Sequence, residues 1–274
     1  MEPIPRLLVN ESSRKTVLDV ALEAVNVAGD ILRERFQTAL QVDQKGPRDI
    51  VTDVDHQVES EMLGLLCSEF PDFGVVAEES PHIQGNSPYT WVVDPLDGTR
   101  NFAAGIPHFA TVVALMDGDE ALLGITYDPL REELFLAERG KGAMLNGKPI
   151  RVSTKLELKA CLLGLDLGYV ADTGVPVALE MLRHIWPRMQ SVRLMGSAAL
   201  GLAYAAAGRL DVYFHHRLSP WDMAAGSVQV VEAGGVLTDR YGGPFSLQAE
   251  GVIATNTTLH NGFLNAIRDV AGQR

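Results

Sequence analysis

The chain is poor in cysteine, and its two, Cys67 and Cys161, stand far apart. They form neither a metal-type spacing nor a disulfide framework, and a reducing cytoplasm is the expected setting. No apolar run approaches the ~20 residues that cross a bilayer, so no membrane passage is expected. The first residues, Met1 to Pro5, lack a basic stretch followed by an apolar core, so no signal peptide is expected. Basic residues are outnumbered, 23 against 35 acidic ones, for a formal net charge of −12. That balance argues against a direct nucleic-acid surface. It would also repel a phosphorylated substrate, so a site for one needs local positive charge, most simply divalent cations. Gly-x-Ser-x-Gly and the Walker P-loop do not occur, which speaks against a nucleophile elbow or a P-loop nucleotide site.

What is present is ordinary globular material. The 274 residues are 46% hydrophobic and 21% charged, enough for a large core. Near the N-terminus Leu18, Leu22, Val25, Gly29, Leu32 and Phe36 recur at helical spacing, with Ser12 or Ser13 as the expected cap. Gln44 to Arg48 reads as a turn. A second helix carries Val58, Met62, Leu65 and Leu66 on its apolar side, and Phe73 to Ala77 reads as a strand. Thr111 to Met116, Ala121 to Tyr127 and Glu133 to Ala137 read as strands. Asp117-Gly118, Asp128-Pro129 and Asn146-Gly147 punctuate them as in an antiparallel meander.

Beyond residue 150 strands and helices alternate. Strands are expected at Cys161–Leu165, Val192–Met195, Asp211–Phe214, Gly235–Thr238 and Val252–Ala254. Helices are expected at Val175–Met189, Ser197–Ala207, Trp221–Ala233 and from about Leu259. The pattern predicts layered packing. Residues 1–150 form an α+β half with most of the candidate acids, and residues 151–274 an α/β half carrying Asp222.

One stretch concentrates the chemistry, Trp91-Val92-Val93-Asp94-Pro95-Leu96-Asp97-Gly98-Thr99-Arg100-Asn101-Phe102. An apolar strand breaks at Pro95, which is expected to stop pairing, and Gly98 permits backbone conformations other residues resist. Asp94 and Asp97 flank the break, and Gly98-Thr99 lead into a possible helix start. Two readings stand: a metal-plus-phosphate site, or a loop in which Asp and Gly satisfy turn chemistry. Asp55 and Asp222 also have structural readings. Each ends a capping-box pattern, Thr52 to Asp55 and Ser219 to Asp222, the latter with Pro220 at the first helical position. Glu78, just past a strand, reads equally as an exposed acid. Together the five acids suit Mg²⁺, which takes a few carboxylates, keeps waters and pairs with phosphate oxygens. Two such ions clamp an in-line displacement at phosphorus.

These residues carry a family resemblance. Asp94 to Phe102 resembles the first signature of the inositol monophosphatase family. Trp221-Asp222-Met223-Ala224-Ala225-Gly226 with Glu232-Ala233-Gly234-Gly235 resembles its second. Asp49 to Asp55 and Ala77-Glu78-Glu79-Ser80 resemble two earlier blocks, in order, so the likeness covers nearly the whole chain. It implies an αβαβα layered sandwich with an antiparallel meander half and a mixed α/β half. It implies Mg²⁺-dependent, lithium-sensitive phosphomonoester hydrolysis with two or three ions. By resemblance, Glu78, Asp94 and the Leu96 carbonyl hold one ion, and Asp94, Asp97 and Asp222 a second. Glu78 shares a third. Thr99 with Asp55 orients the attacking water, the Gly98 and Thr99 amides hold phosphate, and Lys45 matches a lysine often found before the first block.

For substrate, the resemblance implies inositol 1-phosphate or a similar small polyol phosphate. The alternatives are histidinol phosphate, adenosine 3′,5′-bisphosphate, fructose 1,6-bisphosphate and nicotinamide dinucleotide phosphate. Asn101 favours the inositol branch, and Gly196-Ser197-Ala198-Ala199 resembles the segment lining its sugar pocket. His215 departs from the pattern. It stands seven residues before Asp222, where that branch usually carries a Glu that meets inositol hydroxyls. His215 and His216 read as pocket-edge or surface residues. A homodimer and a small phosphorylated metabolite are the expected partners. The family also contains a bacterial RNA-polymerase-associated factor, so a non-catalytic protein-binding role is the remote alternative.

Overall fold

In a computed structural model of the chain, residues 8–46, 49–167 and 174–271 are described. The N-terminal part runs α1 (Val17–Arg35), β1 (Val42–Gly46), β2 (Asp49–Thr52), α2 (Asp53–Glu69), β3 (Gly74–Ala77), β4 (Tyr89–Asp97) and α3 (Thr99–Ala103). It continues through β5 (Ala110–Asp117), β6 (Glu120–Asp128), β7 (Glu133–Glu138), β8 (Gly142–Leu145) and β9 (Lys148–Pro149). The C-terminal part runs β10 (Leu162–Asp166), α4 (Gly174–Ile185), β11 (Ser191–Arg193), α5 (Ala198–Ala206), β12 (Val212–His215), α6 (Pro220–Glu232), β13 (Val236–Asp239), β14 (Val252–Thr255) and α7 (Thr257–Ala271).

These elements stack as αβαβα. Helices α1 and α2 cover the outer face of a seven-stranded sheet in the order β3-β4-β5-β6-β7-β8-β9. Helices α5 and α6 fill the space between it and a five-stranded sheet, β11-β10-β12-β14-β13, and α4 and α7 close the far side. The meander from β4 to β9 is antiparallel as expected, but β3 lies parallel to β4. The second sheet is mixed, with β10 parallel to both neighbours and β14 antiparallel to β12 and β13.

Local chemistry explains the boundaries, and corrects some expected ones. Helix α1 is capped by Thr16, not Ser12 or Ser13: Thr16 and Asp19 form a capping box. The two serines lie in a preceding turn, where their backbone N–H groups donate to the Asn10 side chain. Gln44 to Gly46, read as a turn, belong to β1, which pairs with β2. Pro47 and Arg48 lie outside the described residues. Helix α4 ends at Ile185 and tightens into a single 3₁₀ turn over Trp186–Arg188; Pro187 lacks the N–H that would continue it. The apolar side of α2, Val54, Val58, Met62 and Leu66, is fully buried against the first sheet. Truncating such a side chain to Ala costs ~2–5 kcal/mol.

Pro95 does not end strand pairing. Strand β4 continues to Asp97: Asp94 faces Val112, Asp97 faces Ala110, and the register shifts between them. The proline is absorbed in a β-bulge, where an unpaired residue needs no ladder donor. Helix α6 reaches the same sheet at very close range. A Cβ on Gly124 of β6 would lie 2.5 Å from the Ala225 carbonyl oxygen, so only glycine admits the approach that seats the start of α6.

Candidate active site

Five acids gather where these elements end. Asp94 and Asp97 come from the bulged end of β4 and Asp222 from the first turn of α6. One carboxylate oxygen from each of the three lies within 4.8 Å of the others. Glu78 follows β3, next to β4 in the sheet, and touches Asp94 through its side chain. Asp55 sits in the first turn of α2, fully buried.

The capping boxes are real, and they hold the functional side chains. Asp55 Oδ2 accepts the Thr52 N–H at 2.9 Å as well as the Thr52 hydroxyl. Its other oxygen, Oδ1, accepts the Thr99 hydroxyl at 2.9 Å. Asp222 Oδ2 likewise accepts the Ser219 N–H at 2.7 Å. A carboxylate has two oxygens, so Asp55 fixes the helix start with one and meets Thr99 with the other. Asp94 Oδ1 accepts the Leu96 N–H at 3.0 Å, closing the bulge. The Leu96 carbonyl oxygen lies 3.0 Å from Thr99 Oγ1, an alternative acceptor for the single proton that the hydroxyl carries to Asp55.

Asp97 is held from the opposite half. The Ser197 hydroxyl donates to it, and the Ala198 and Ala199 N–H groups at the start of α5 donate at 3.1 and 3.0 Å. The Gly196-Ser197-Ala198 segment lines the cavity and at the same time fixes Asp97. Gly98 has φ +94°, and a Cβ there would lie 3.1–3.2 Å from the His108 and Gly196 carbonyls. The turn between the aspartates and α3 therefore demands glycine.

Crowding the acids has an electrostatic cost. Burial pushes Glu78 up to about 7, with Lys45 opposing the rise. Asp94 and Asp222 are driven well above the ordinary carboxylate range, first by burial and then by neighbouring acids. Asp97 is raised by burial against the α5 donors, and Asp55 by burial against Thr52 and Thr99. Lys45 Nζ pairs with Glu78 at 2.9 Å and Glu79 at 2.6 Å, one cation beside several buried acids. Hard oxygen donors, crowded and short of positive charge, fit divalent cations. Asp94, Asp97 and Asp222 form the group that could hold one, with Glu78 against Asp94.

The acids open on a cavity of about 670 Å³ lined by both halves. Lys45, Glu78, Asp97 and Asp222 line it, as do Asp166, His215, His216 and Arg217. Asp166 and His215 are register partners on β10 and β12. His215 is buried and held neutral, its pKa lowered to about 3 by burial. It is a wall of the cavity and not a surface residue.

Two contributors, Glu59 and Asp166, escaped sequence reasoning, and a third, Asn101, enters it only as a marker of the inositol branch. Glu59, 2% exposed, accepts the Glu79 N–H at 2.9 Å and so pins the turn that carries Glu78. Asp166 Oδ1 accepts the Met195 and Gly196 N–H groups at 2.9 and 2.8 Å. Asn101 Nδ2 donates to His108 and Met195 carbonyls, both at 2.8 Å, tying the two halves. Of the two that escaped, Glu59 alone left a trace, an acid on the apolar side of α2, one position beyond Val58.

The layered fold and its acid-rich cavity define a class, a sandwich with a carboxylate site at strand and helix ends. The model of the inositol monophosphatase family matches residues 13–271, and the chain belongs to that family. It is 38% identical over 268 residues to inositol monophosphatase 3 of Solanum lycopersicum, covering 96% of this chain and 100% of that one. It is 36% identical over 259 residues to the Nus factor SuhB of Haemophilus influenzae, covering 93% and 97%. Among solved structures, the extragenic suppressor protein suhB of Bartonella henselae superposes with a TM-score of 0.89 at 38% identity, covering 92% of this chain and 98% of that one. The Thermotoga maritima IMPase gives 0.84 at 33%, covering 92% and 97%. Among the described residues no helix is long and apolar enough to cross a membrane.

Proposed function

We propose that the chain is a Mg²⁺-dependent phosphomonoesterase acting on inositol 1-phosphate or a similar small polyol phosphate. The convergence of Glu78, Asp94, Asp97 and Asp222 beside the Thr99–Asp55 pair carries this reading. Divalent cations held by those acids would neutralise charge building on the phosphoryl oxygens and make the attacking water more acidic. The rest falls to the chain's own groups. Thr99 Oγ1 directs its proton to Asp55 Oδ1, so its lone pair accepts a proton from the water and aims it at phosphorus. Asp55, made more basic by burial, takes the proton relayed through Thr99. The Gly98 and Thr99 N–H groups precede the first hydrogen-bonded turn of α3 and receive phosphate oxygens.

Inositol is the parent substrate in this reading, with histidinol phosphate and the sugar and nucleotide bisphosphates as alternatives. Lithium inhibition, a cytoplasmic homodimer and two or three Mg²⁺ ions belong to it. Similarity to proteins named Nus factor SuhB supports a second reading, a protein-binding role for the same fold.

The deciding experiment is phosphate release from that panel, with and without Mg²⁺, by wild type and Thr99→Val. Wild type releases phosphate only with Mg²⁺, and the variant loses at least ~10²-fold in kcat, as expected for a general acid–base group. Metal-independent turnover, or a fully active Thr99→Val, overturns the reading.

A further inference from the structure

Helix α6 brings Asp222 to the acid group, and one of its faces meets the first sheet. Asp222, Ala225 and Gln229 are spaced i, i+3 and i+7, so they share that face. Ala225 lies against Gly124 of β6. On the other side, a Cβ on Gly226 would lie 2.5 Å from Leu202 of α5. The helix is therefore pressed between the sheet and α5. Its buried run from Met223 to Val230 is mostly small or apolar. Such packing is non-directional and resists sliding along the helix axis least. Asp222 is pushed to slide, because its carboxylate stands with two like charges, Asp94 and Asp97.

Gln229 is the polar exception on this face, and it is completely buried. Its Nε2 donates to Thr126 Oγ1 at 3.1 Å and to the Phe135 carbonyl at 3.2 Å. A carbonyl only accepts, which fixes the orientation of the amide. Thr126 of β6 and Phe135 of β7 are register partners, so both hydrogens land on one rung of the sheet. Among the described residues one other side chain of α6 bonds to the first sheet. Glu232, at the far end of the helix, accepts the Gly140 and Gly142 N–H groups at 2.7 and 2.8 Å. Gln229 is the tie nearer to Asp222, about two turns away.

We propose that Gln229 is a positioning residue: it holds α6 in axial register, so that Asp222 stands with Asp94 and Asp97 before any cation arrives. The inference rests on the cation part of the phosphatase reading. Without the tie, α6 is displaced in part of the population, and the site there lacks one acid. The apparent cation affinity falls with the fraction of protein whose site is assembled. Once bound, the cation itself holds Asp222, and the loaded site is the same.

The test is Mn²⁺ binding, read as loss of the free-ion paramagnetic resonance signal, since Mn²⁺ shares with Mg²⁺ a preference for carboxylate oxygen. Gln229→Leu keeps the bulk of the side chain and removes the tie. It weakens Mn²⁺ binding at least ~5-fold. It raises the Mg²⁺ concentration for half-maximal phosphate release in step, with kcat at saturating Mg²⁺ within ~2-fold of wild type. Thr126→Val removes one of the two acceptors and acts in the same direction by less. The double variant Gln229→Leu with Thr126→Val separates position from packing. Its partners are both apolar, so its Tm in EDTA returns toward wild type, while Mn²⁺ binding stays weak. Equal Mn²⁺ affinity in wild type and Gln229→Leu overturns the proposal. So does an affinity that recovers together with Tm in the double variant, which makes Gln229 a packing residue only. If Gln229→Leu does not fold, unaltered affinity in Thr126→Val overturns it. Each of these results leaves the phosphatase reading standing. Wild type that binds no Mn²⁺ sinks the cation reading and this inference with it.

Discussion

Replacing Asp222 by Asn should stabilise the metal-free protein. The substitution keeps the shape, and Oδ1 of the amide still accepts the Ser219 N–H that Asp222 accepts at 2.7 Å, so the start of α6 stays capped. What disappears is a charge whose carboxylate oxygen lies within 4.8 Å of those of Asp94 and Asp97. Two like charges at that distance repel by about 3 kcal/mol at an effective dielectric of ~20. With an unfolding entropy of ~2.1 cal/mol/K per residue, that is a rise of ~5 °C in Tm. The assay is calorimetric or fluorescence melting in EDTA and in Mg²⁺, at pH 8 and pH 5.5. The gain should be largest in EDTA at pH 8, where more of the cluster is ionised, and should shrink at pH 5.5. With Mg²⁺ the order should reverse, because only wild type keeps the full donor set. A variant that melts lower than wild type in EDTA at pH 8, or that gains as much from Mg²⁺, would refute the electrostatic reasoning.

Two further predictions come from the same site. Glu78 rises on folding from 4.5 to about 7, so its folded form prefers the proton. The stability this provides is complete below pH 4.5 and lost as pH rises through 7; the metal-free protein should lose about 3 kcal/mol from this group in denaturant melts across that window. A metal-free stability rising from pH 5 to pH 8 would contradict it. Glu59→Ala leaves the Glu79 N–H without its acceptor, costing ~1–3 kcal/mol. It should raise the Mg²⁺ concentration for half-maximal activity several-fold, with Glu59→Gln restoring it; equal Mg²⁺ curves for all three proteins would remove Glu59 from the positioning role.

Much of this molecule was legible in its sequence because metal chemistry restricts residue type. Hard cations need acids, acids avoid interiors, and so Asp94, Asp97 and Asp222 stand out at element ends. The alternation beyond residue 150 and the amphipathic spacing of α1 carried the layers. What was not legible depends on the third dimension. The sequence poses cap against site for Asp55 and Asp222, and only the geometry shows Asp55 dividing its two oxygens between those tasks and Asp222 capping α6 while it belongs to the acid group. The parallel entry of β3 has no local signal, because a run of Gly-Val-Val-Ala pairs in either direction. Asp166 and Glu59 act through backbone N–H groups, which every sequence possesses and none advertises. Ser12, Ser13 and Thr16 all have side chains able to cap, and the helix starts at Thr16, where Val17 and Val20 are buried.

The bulge in β4 carries a consequence of parity. Along a regular strand, side chains an odd number of positions apart point to opposite faces of the sheet. Asp94 and Asp97 are separated by three positions, so a regular β4 would send one toward the cation site and the other toward α1 and α2. The extra residue makes three steps on β4 match two on β5, and the odd separation behaves as an even one. Loss of a single residue at Pro95 or Leu96 would remove the bulge and the odd count together, leaving both aspartates on one face, whereas insertion of one residue beside the bulge would turn one of them toward α1 and α2. Tolerance of the fold to length change and tolerance of the function part company at this point.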